Sequence, residues 1–150
     1  MASAAEMLRR LQSVNDINVL QDMVYVHIKA NEDILRNLKE EEYEKGDIYS
    51  DQTTASYKNP FYAQYKNDLN PIAGLGNVDL INYGDFINSF IIPKPKGNKY
   101  LFDATDGKKN KLIGKYGDIM SLKQQTFEDF QYVFIKDPFV ADLRKIINKK

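Results

Sequence analysis

The chain lacks cysteine and tryptophan and contains a single histidine among its 150 residues. Without cysteine it can form neither disulfides nor thiolate metal sites, and it has no cysteine nucleophile. One histidine, His27, excludes the usual multi-histidine zinc sites. No stretch approaches the roughly 18 consecutive apolar residues that a membrane-spanning helix needs. These absences predict a protein without a metal, a cofactor or a membrane span.

An excess of charge is also missing, because 21 Lys and Arg balance 21 Asp and Glu. A dedicated nucleic-acid-binding protein normally carries a basic excess, so the composition argues against that class. Residues 1–6 lack the basic and apolar segments of a signal peptide. We therefore expect the protein to be made and kept in a cytoplasm, or in a particle assembled there.

Tyrosine and phenylalanine are abundant, with ten and eight copies. Tyrosine suits half-buried surfaces, where the ring packs and the hydroxyl meets water or a partner, so its abundance indicates either an interface or a small domain with a wet core rim. The length fits one domain over residues 1–150.

Helical spacing dominates the N-terminal third. A short helix is predicted over residues 4–14. A longer helix is predicted to about Tyr43, with Asn15 or Asp16 as its N-cap, because apolar residues recur at spacings of three and four around one polar interruption, Asn31. Gly46 suits the left-handed cap that would end this helix.

After the helical residues 1–46, the chain divides into three parts. These are a loop or arm over 47–78, a sheet region over 79–120 and a helical part over 121–150. Strands are predicted over 86–92, 100–104 and 112–116. A capping box from Ser121 to Gln124 and the pair Asp137 and Pro138 predict helix starts. The predicted fold class is α+β, with a long N-terminal helix packed on a small antiparallel β-sheet and a helical C-terminus.

No catalytic constellation is recognisable. His27 has no accompanying nucleophile motif, and Gly74 and Gly76 lack the lysine that follows the glycines of a phosphate loop. We therefore expect a protein that is not an enzyme.

Charge is segregated along the chain although the total balances. Eight acids lie between Glu32 and Asp51, and seven lysines lie between Lys94 and Lys115. An ordinary solvated surface would give the same pattern. The functional interpretation is head-to-tail contact, in which the acidic edge of one copy meets the basic segment of the next, as a closed ring requires. Backbone contact with DNA is the weaker alternative.

The candidate contact residues lie in the acidic stretch, the arm 47–59 and a predicted hairpin over 93–99. They are Glu40, Glu41, Glu42, Tyr49, Tyr57, Lys94, Lys96 and Lys99.

A structural turn is predicted within residues 62–90, formed by Leu80, Tyr83, Gly84, Phe86 and Ser89. Gly84 is expected to take a positive φ. Leu80 and Phe86 would then face the core on either side, and Ser89 would bond the turn backbone.

The same segment resembles the small tail-completion or head–tail joining (neck) proteins of tailed bacteriophages. The matching residues are Tyr62, Ala63, Lys66, Leu80, Gly84, Phe86 and Ser89. The sequence departs from the family pattern at Tyr83, where the family has Thr. Residues 112–119 and the predicted helix at Ser121 resemble the C-terminal portion of the family, so the likeness covers about 18–134.

The resemblance implies a structural virion protein that forms a homo-oligomeric ring at the head–tail junction or upper tail, without a cofactor. It implies contacts with portal, neck or tail proteins, and a location in the virion and, during assembly, in the host cytoplasm. Two alternatives stay open. One is a small non-enzymatic binding or regulatory module, and the other is a hydrolase or inhibitor with no recognisable motif.

Overall fold

The computed structural model describes residues 3–51, 53–81, 84–94 and 102–148. Over these residues the protein is mainly helical and carries a small two-stranded antiparallel sheet. The predicted combination of helices with an antiparallel sheet is confirmed, but the sheet is smaller than predicted.

The helices are α1 (Ala4–Val14), α2 (Ile17–Ala30), α3 (Glu32–Glu44), α4 (Pro60–Leu69), α5 (Asp85–Asn88), α6 (Lys109–Tyr116), α7 (Gln124–Phe130) and α8 (Lys136–Ile147). A 3-10 turn covers Pro71–Ala73, and a π-helical turn over Gln131–Ile135 joins α7 to α8. The strands are β1 (Phe90–Ile91) and β2 (Asp103–Ala104), and they place Phe90 opposite Ala104.

The predicted short helix is confirmed as α1, but the single long helix is wrong. Asp16 caps α2 as expected, since its carboxylate accepts a hydrogen bond from the Asn18 amide at 2.8 Å. The chain then breaks at Asn31, whose side-chain amide donates to the His27 carbonyl at 2.8 Å. Asparagine competes for backbone groups in this way, which separates α2 from α3. Gly46, at φ +77°, ends α3 as predicted.

Two segments that were predicted as loop or strand are helical. Asn59 accepts hydrogen bonds from the amides of Phe61 and Tyr62, and Pro60 occupies the first turn, so α4 begins inside the predicted arm region. The strand predicted over 112–116 is wrong, because these residues belong to α6. The strand predicted over 86–92 shrinks to β1, since α5 takes up its first part.

The capping box predicted at Ser121 is also wrong. The Ser121 hydroxyl donates to the carboxylate of Asp118 at 3.0 and 3.2 Å, and α7 begins later, at Gln124. The helix start predicted at Asp137 and Pro138 is wrong as well. Pro138 is the third residue of α8, but residues 131–147 are continuously helical, so its missing amide hydrogen lies inside the helical run. Asp137 makes no capping bond there, because the helix continues directly from the π-helical turn.

The core centres on Phe90, which is fully buried. Its ring meets Tyr43 and Phe86 edge-on at centroid distances of 6.1 and 5.0 Å, and Phe102 at 5.4 Å. These contacts hold α3, α5 and the sheet together. Among the described residues, no helix is both long and apolar enough to cross a bilayer.

The C-terminal helix packs against the first two helices. His27 Nε2 on α2 lies 2.7 Å from Asp142 Oδ2 on α8. The hydrogen bond to His27 lowers the pKa of the Asp142 carboxyl below its usual value. His27 thus links two helices.

Candidate functional site: a lysine- and tyrosine-lined cleft

A cleft of about 860 Å³ opens between the arm, the start of α4, the loop before α5, and α6. Four tyrosines line it, namely Tyr49, Tyr57, Tyr62 and Tyr116. Five lysines line it as well, namely Lys58, Lys66, Lys108, Lys111 and Lys115. We call this space, together with its lining residues, the cleft.

Lys66, which lines the cleft, forms a buried ion pair with Asp79. Lys66 Nζ lies 2.8 Å from Asp79 Oδ1 and also donates to the carbonyl of Ile81. The other carboxylate oxygen of Asp79 accepts a hydrogen bond from the side-chain amide of Asn70 at 3.1 Å. Because buried charges need partners, this network fixes the loop around Asp79 against α4. The pair is neutral as a unit, so Lys66 adds no net charge to the cleft.

Tyr57 connects the arm to the same network. Its hydroxyl donates to Asp79 Oδ1 at 3.3 Å, and its ring packs edge-on against Tyr62 at a centroid distance of 5.1 Å. Burial, together with the negative charge of Asp79, raises the pKa of the Tyr57 phenol well above its usual value. The phenol therefore remains a neutral donor at any physiological pH.

The basic wall of the cleft is formed by α6. It carries Lys108 at its N-cap and Lys111 and Lys115 within the helix. The spacing of three and four residues places these lysines on one face. Lys58 adds a fourth exposed ammonium group from the arm. Within the described part of the chain, none of these four lysines forms an ion pair. Lys115 lies over the Tyr116 ring, 4.9 Å from its centroid.

The predicted turn forms one side of the cleft. Gly84 takes φ +78° as expected and precedes α5. The Ser89 hydroxyl donates to the Phe86 carbonyl at 2.7 Å, and Phe86 is buried. Leu80 packs on the core and itself has a positive φ of 54°, which is uncommon for a residue with a side chain. Tyr83 lies outside the described residues.

The predicted contact residues are only partly brought together. Tyr49 and Tyr57 both line the cleft. Glu40 and Glu41 lie on α3, where Glu41 is exposed. Glu42 is only 5% exposed, and the structure removes it from the predicted contact surface.

The Glu42 carboxylate is used inside the chain. It accepts a hydrogen bond from Lys39 Nζ at 3.1 Å and another from the Lys123 amide at 3.1 Å. Its side chain points inward because the helical turn of α3 places it beside the buried Lys39. A carboxylate with these partners is a structural group and not a surface charge.

The predicted hairpin contributes one described residue, Lys94. It is exposed and pairs with Asp22 of α2 at 2.9 Å, away from the cleft. Lys96 and Lys99 lie outside the described residues.

The outer face of α4 carries a second feature that the sequence analysis missed. Phe61, Tyr65 and Leu69 recur every four residues, and Ile72 follows in the 3-10 turn. Phe61 is 86% exposed, and the other three side chains are each more than half exposed. We call these four residues the α4 stripe. Their spacing would have indicated one face of a helix if the segment had been recognised as helical.

A scan of family models, a search of curated proteins and a search of solved structures each found nothing that matches this chain. In the described ranges, no group of three or more His, Asp and Glu side chains is arranged to hold a metal ion.

Proposed function

We propose that this chain is a structural protein of a tailed-phage particle, which assembles with copies of itself into a ring at the head–tail junction or upper tail. The observation that carries the assembly is the α4 stripe. The position in the particle is supported by the sequence resemblance over residues 18–134.

The exposed apolar surface of the α4 stripe is best explained by a partner that covers it. Fully burying one large apolar side chain stabilises an interface by roughly 1.5–3 kcal/mol. Phe61, Leu69 and Ile72 are exposed in a single chain, so most of this stabilisation is unused. Contiguous apolar patches rimmed by polar residues mark contact sites on soluble proteins.

The charges around α4 favour a head-to-tail contact between copies. The C-terminal end of the helix lies beside the acidic end of α3, since the Asn70 side chain donates to the Glu44 carbonyl at 2.8 Å. Glu41 and Glu44 are exposed there. The N-terminal end follows Lys58, which is also exposed. Each charged end attracts an oppositely charged surface elsewhere on the next copy, and such a heterologous contact closes into a ring when the rotation allows it.

The assembly is tested by introducing a charged residue into the α4 stripe. Leu69→Glu should shift the protein from an oligomer to a monomer in native mass spectrometry, because a carboxylate would have to be buried in the contact. Val26→Glu is the matched control, since Val26 lies on α2 and is 63% exposed against 59% for Leu69. A wild-type protein that stays monomeric at every concentration would contradict the proposal, and so would equal dissociation by the control.

The location is tested separately by quantitative proteomics of purified particles from cells that carry the gene. Peptides of this chain at a copy number typical of a ring support the proposal. A chain that is absent from particles and monomeric in cells would favour the binding or regulatory module instead.

A further inference from the structure

The cleft carries a local positive charge that the composition of the whole chain hides. Lys58, Lys108, Lys111 and Lys115 face it without ion-pair partners in the described part of the chain, whereas the Lys66 charge is cancelled by Asp79. Asp85 is the one carboxylate among the described lining residues. Four ammonium groups around one concave surface concentrate anions there, even on a protein of zero net charge.

Aromatic rings lie beside these charges. Tyr62 is nearly half exposed and packs against Tyr57, while Tyr116 lies beneath Lys115. Lysines alone would suit any anion, including an acidic peptide. Rings that alternate with lysines also suit a flat base, because every nucleobase has a π-face that stacks on an aromatic side chain.

The size of the cleft agrees with such a ligand. Its volume of about 860 Å³ lies in the range of small-molecule sites, roughly 300–1,000 Å³. The Lys66–Asp79 network ties Asp79 and Ile81 to α4, and Phe86 anchors α5 in the core, so these described residues have fixed partners without a ligand.

We propose that the cleft binds nucleotides through their phosphates and bases, either as free nucleotides or as a segment of single-stranded nucleic acid. The lysines of α6 contact phosphate oxygens, and the exposed ring of Tyr62 stacks on a base. The α6 lysines distinguish this inference from the assembly proposed above, because they lie outside the α4 stripe, whereas Lys58 and Tyr62 lie beside it.

Binding is measured by fluorescence anisotropy with a labelled single-stranded oligothymidylate of about eight nucleotides, the order of the site size of small strand-binding folds. Unlabelled ATP, pyrophosphate and an oligoglutamate peptide compete in separate titrations. The oligonucleotide should bind saturably and more weakly as salt rises, because bound lysines release counterions from the phosphates. If the oligonucleotide binds at least tenfold more tightly than ATP, the ligand is a strand. Equal affinities of the oligonucleotide and ATP identify a free nucleotide.

Two variants separate the phosphate contacts from the base contact. Lys115→Glu should weaken the oligonucleotide, ATP and pyrophosphate by tenfold or more. Tyr62→Ala should weaken the oligonucleotide and ATP severalfold and leave pyrophosphate unchanged. Lys136→Glu is the control, because Lys136 is also exposed and lies over a tyrosine ring, 4.5 Å from the centroid of Tyr132, but outside the cleft.

Three results would overturn the inference. One is the lack of saturable binding of any phosphate probe to the wild-type protein. Another is an equal loss of affinity in the control Lys136→Glu. The third is competition by oligoglutamate as strong as that by the oligonucleotide, which would point to an acidic peptide. Native mass spectrometry of Lys115→Glu should give the wild-type oligomeric state, so a failure of binding and a failure of assembly are distinguished.

Discussion

Replacing Asp79 by Asn tests whether the Lys66–Asp79 pair supports the cleft. Asp79 is 1% exposed, and the Lys66 side chain is 6% exposed. Asp79→Asn keeps the shape of the side chain but leaves the Lys66 ammonium buried without a counter-charge. Removing one partner of a buried ion pair costs roughly 3–5 kcal/mol, so the free energy of unfolding should fall by about that amount.

Urea denaturation followed by circular dichroism measures this change directly. In a domain of this size, each kcal/mol shifts the melting temperature by roughly 2–4 °C, so a shift of about 6–20 °C is expected. Asp22→Asn is the control, because Asp22 and its partner Lys94 are both more than half exposed. Exposed ion pairs contribute about 0–1 kcal/mol, so the control should stay close to the wild type.

The double variant Asp79→Asn with Lys66→Met separates lost attraction from uncompensated charge. Methionine removes the buried ammonium and keeps an unbranched side chain, so the double variant should be more stable than Asp79→Asn alone. A cost below about 1 kcal/mol for Asp79→Asn would refute the reasoning, since it would mean that water reaches Lys66 and screens the pair.

Three further predictions concern the turn, α6 and the core. Gly84→Val should lower the free energy of unfolding by about 1–2 kcal/mol, because Gly84 has φ +78° and a β-branched residue is strained there. Gly114→Ala, in α6 with open space around it, should instead stabilise by about 0.5–1 kcal/mol. Burial, together with the charges of Glu42 and Asp118, raises the pKa of Tyr43 above its usual value of 10.0. The stability from that protonated phenol is complete below about pH 10 and is lost as pH rises further, so Tyr43→Phe should flatten the alkaline loss in urea titrations.

Local signals predicted the parts of the fold that depend on a few neighbouring residues. Asp16 as a cap, Gly46 as a helix end and Gly84 with a positive φ each follow from one side chain and its own backbone. Such positions need no knowledge of distant contacts.

Helix and strand were confused where a short apolar run had to be assigned by itself. Residues 112–116 and 86–92 are too short for periodicity to separate the two states. Tertiary contacts decide them, since the start of the second run packs Phe86 against Phe90 from α5. The error had a consequence for the site. If residues 112–116 are assigned to a strand, the helical spacing that puts Lys108, Lys111 and Lys115 on one face is not apparent.

The Lys66–Asp79 ion pair could not be predicted from sequence, because its members are brought together only by the turn after α4. A lysine and an aspartate thirteen positions apart match no helical or strand spacing, and many such pairs occur in a charged chain. Burial of both groups is the distinguishing observation, and burial is a property of the fold.

One helix, α4, connects both proposals, and its geometry keeps them experimentally separate. Tyr62 and Lys66, four residues apart, face the cleft, whereas Phe61, Tyr65 and Leu69 form the stripe. A helix turns by about 100° per residue, so these two sets lie on adjacent faces. Leu69 does not line the cleft, so a substitution there changes the assembly surface alone. The Tyr62 ring contacts Tyr65 of the stripe at a centroid distance of 6.1 Å, so Lys115→Glu on α6 is the substitution that changes the cleft alone. If both substitutions reduced oligomerisation equally, the two faces would belong to one interface.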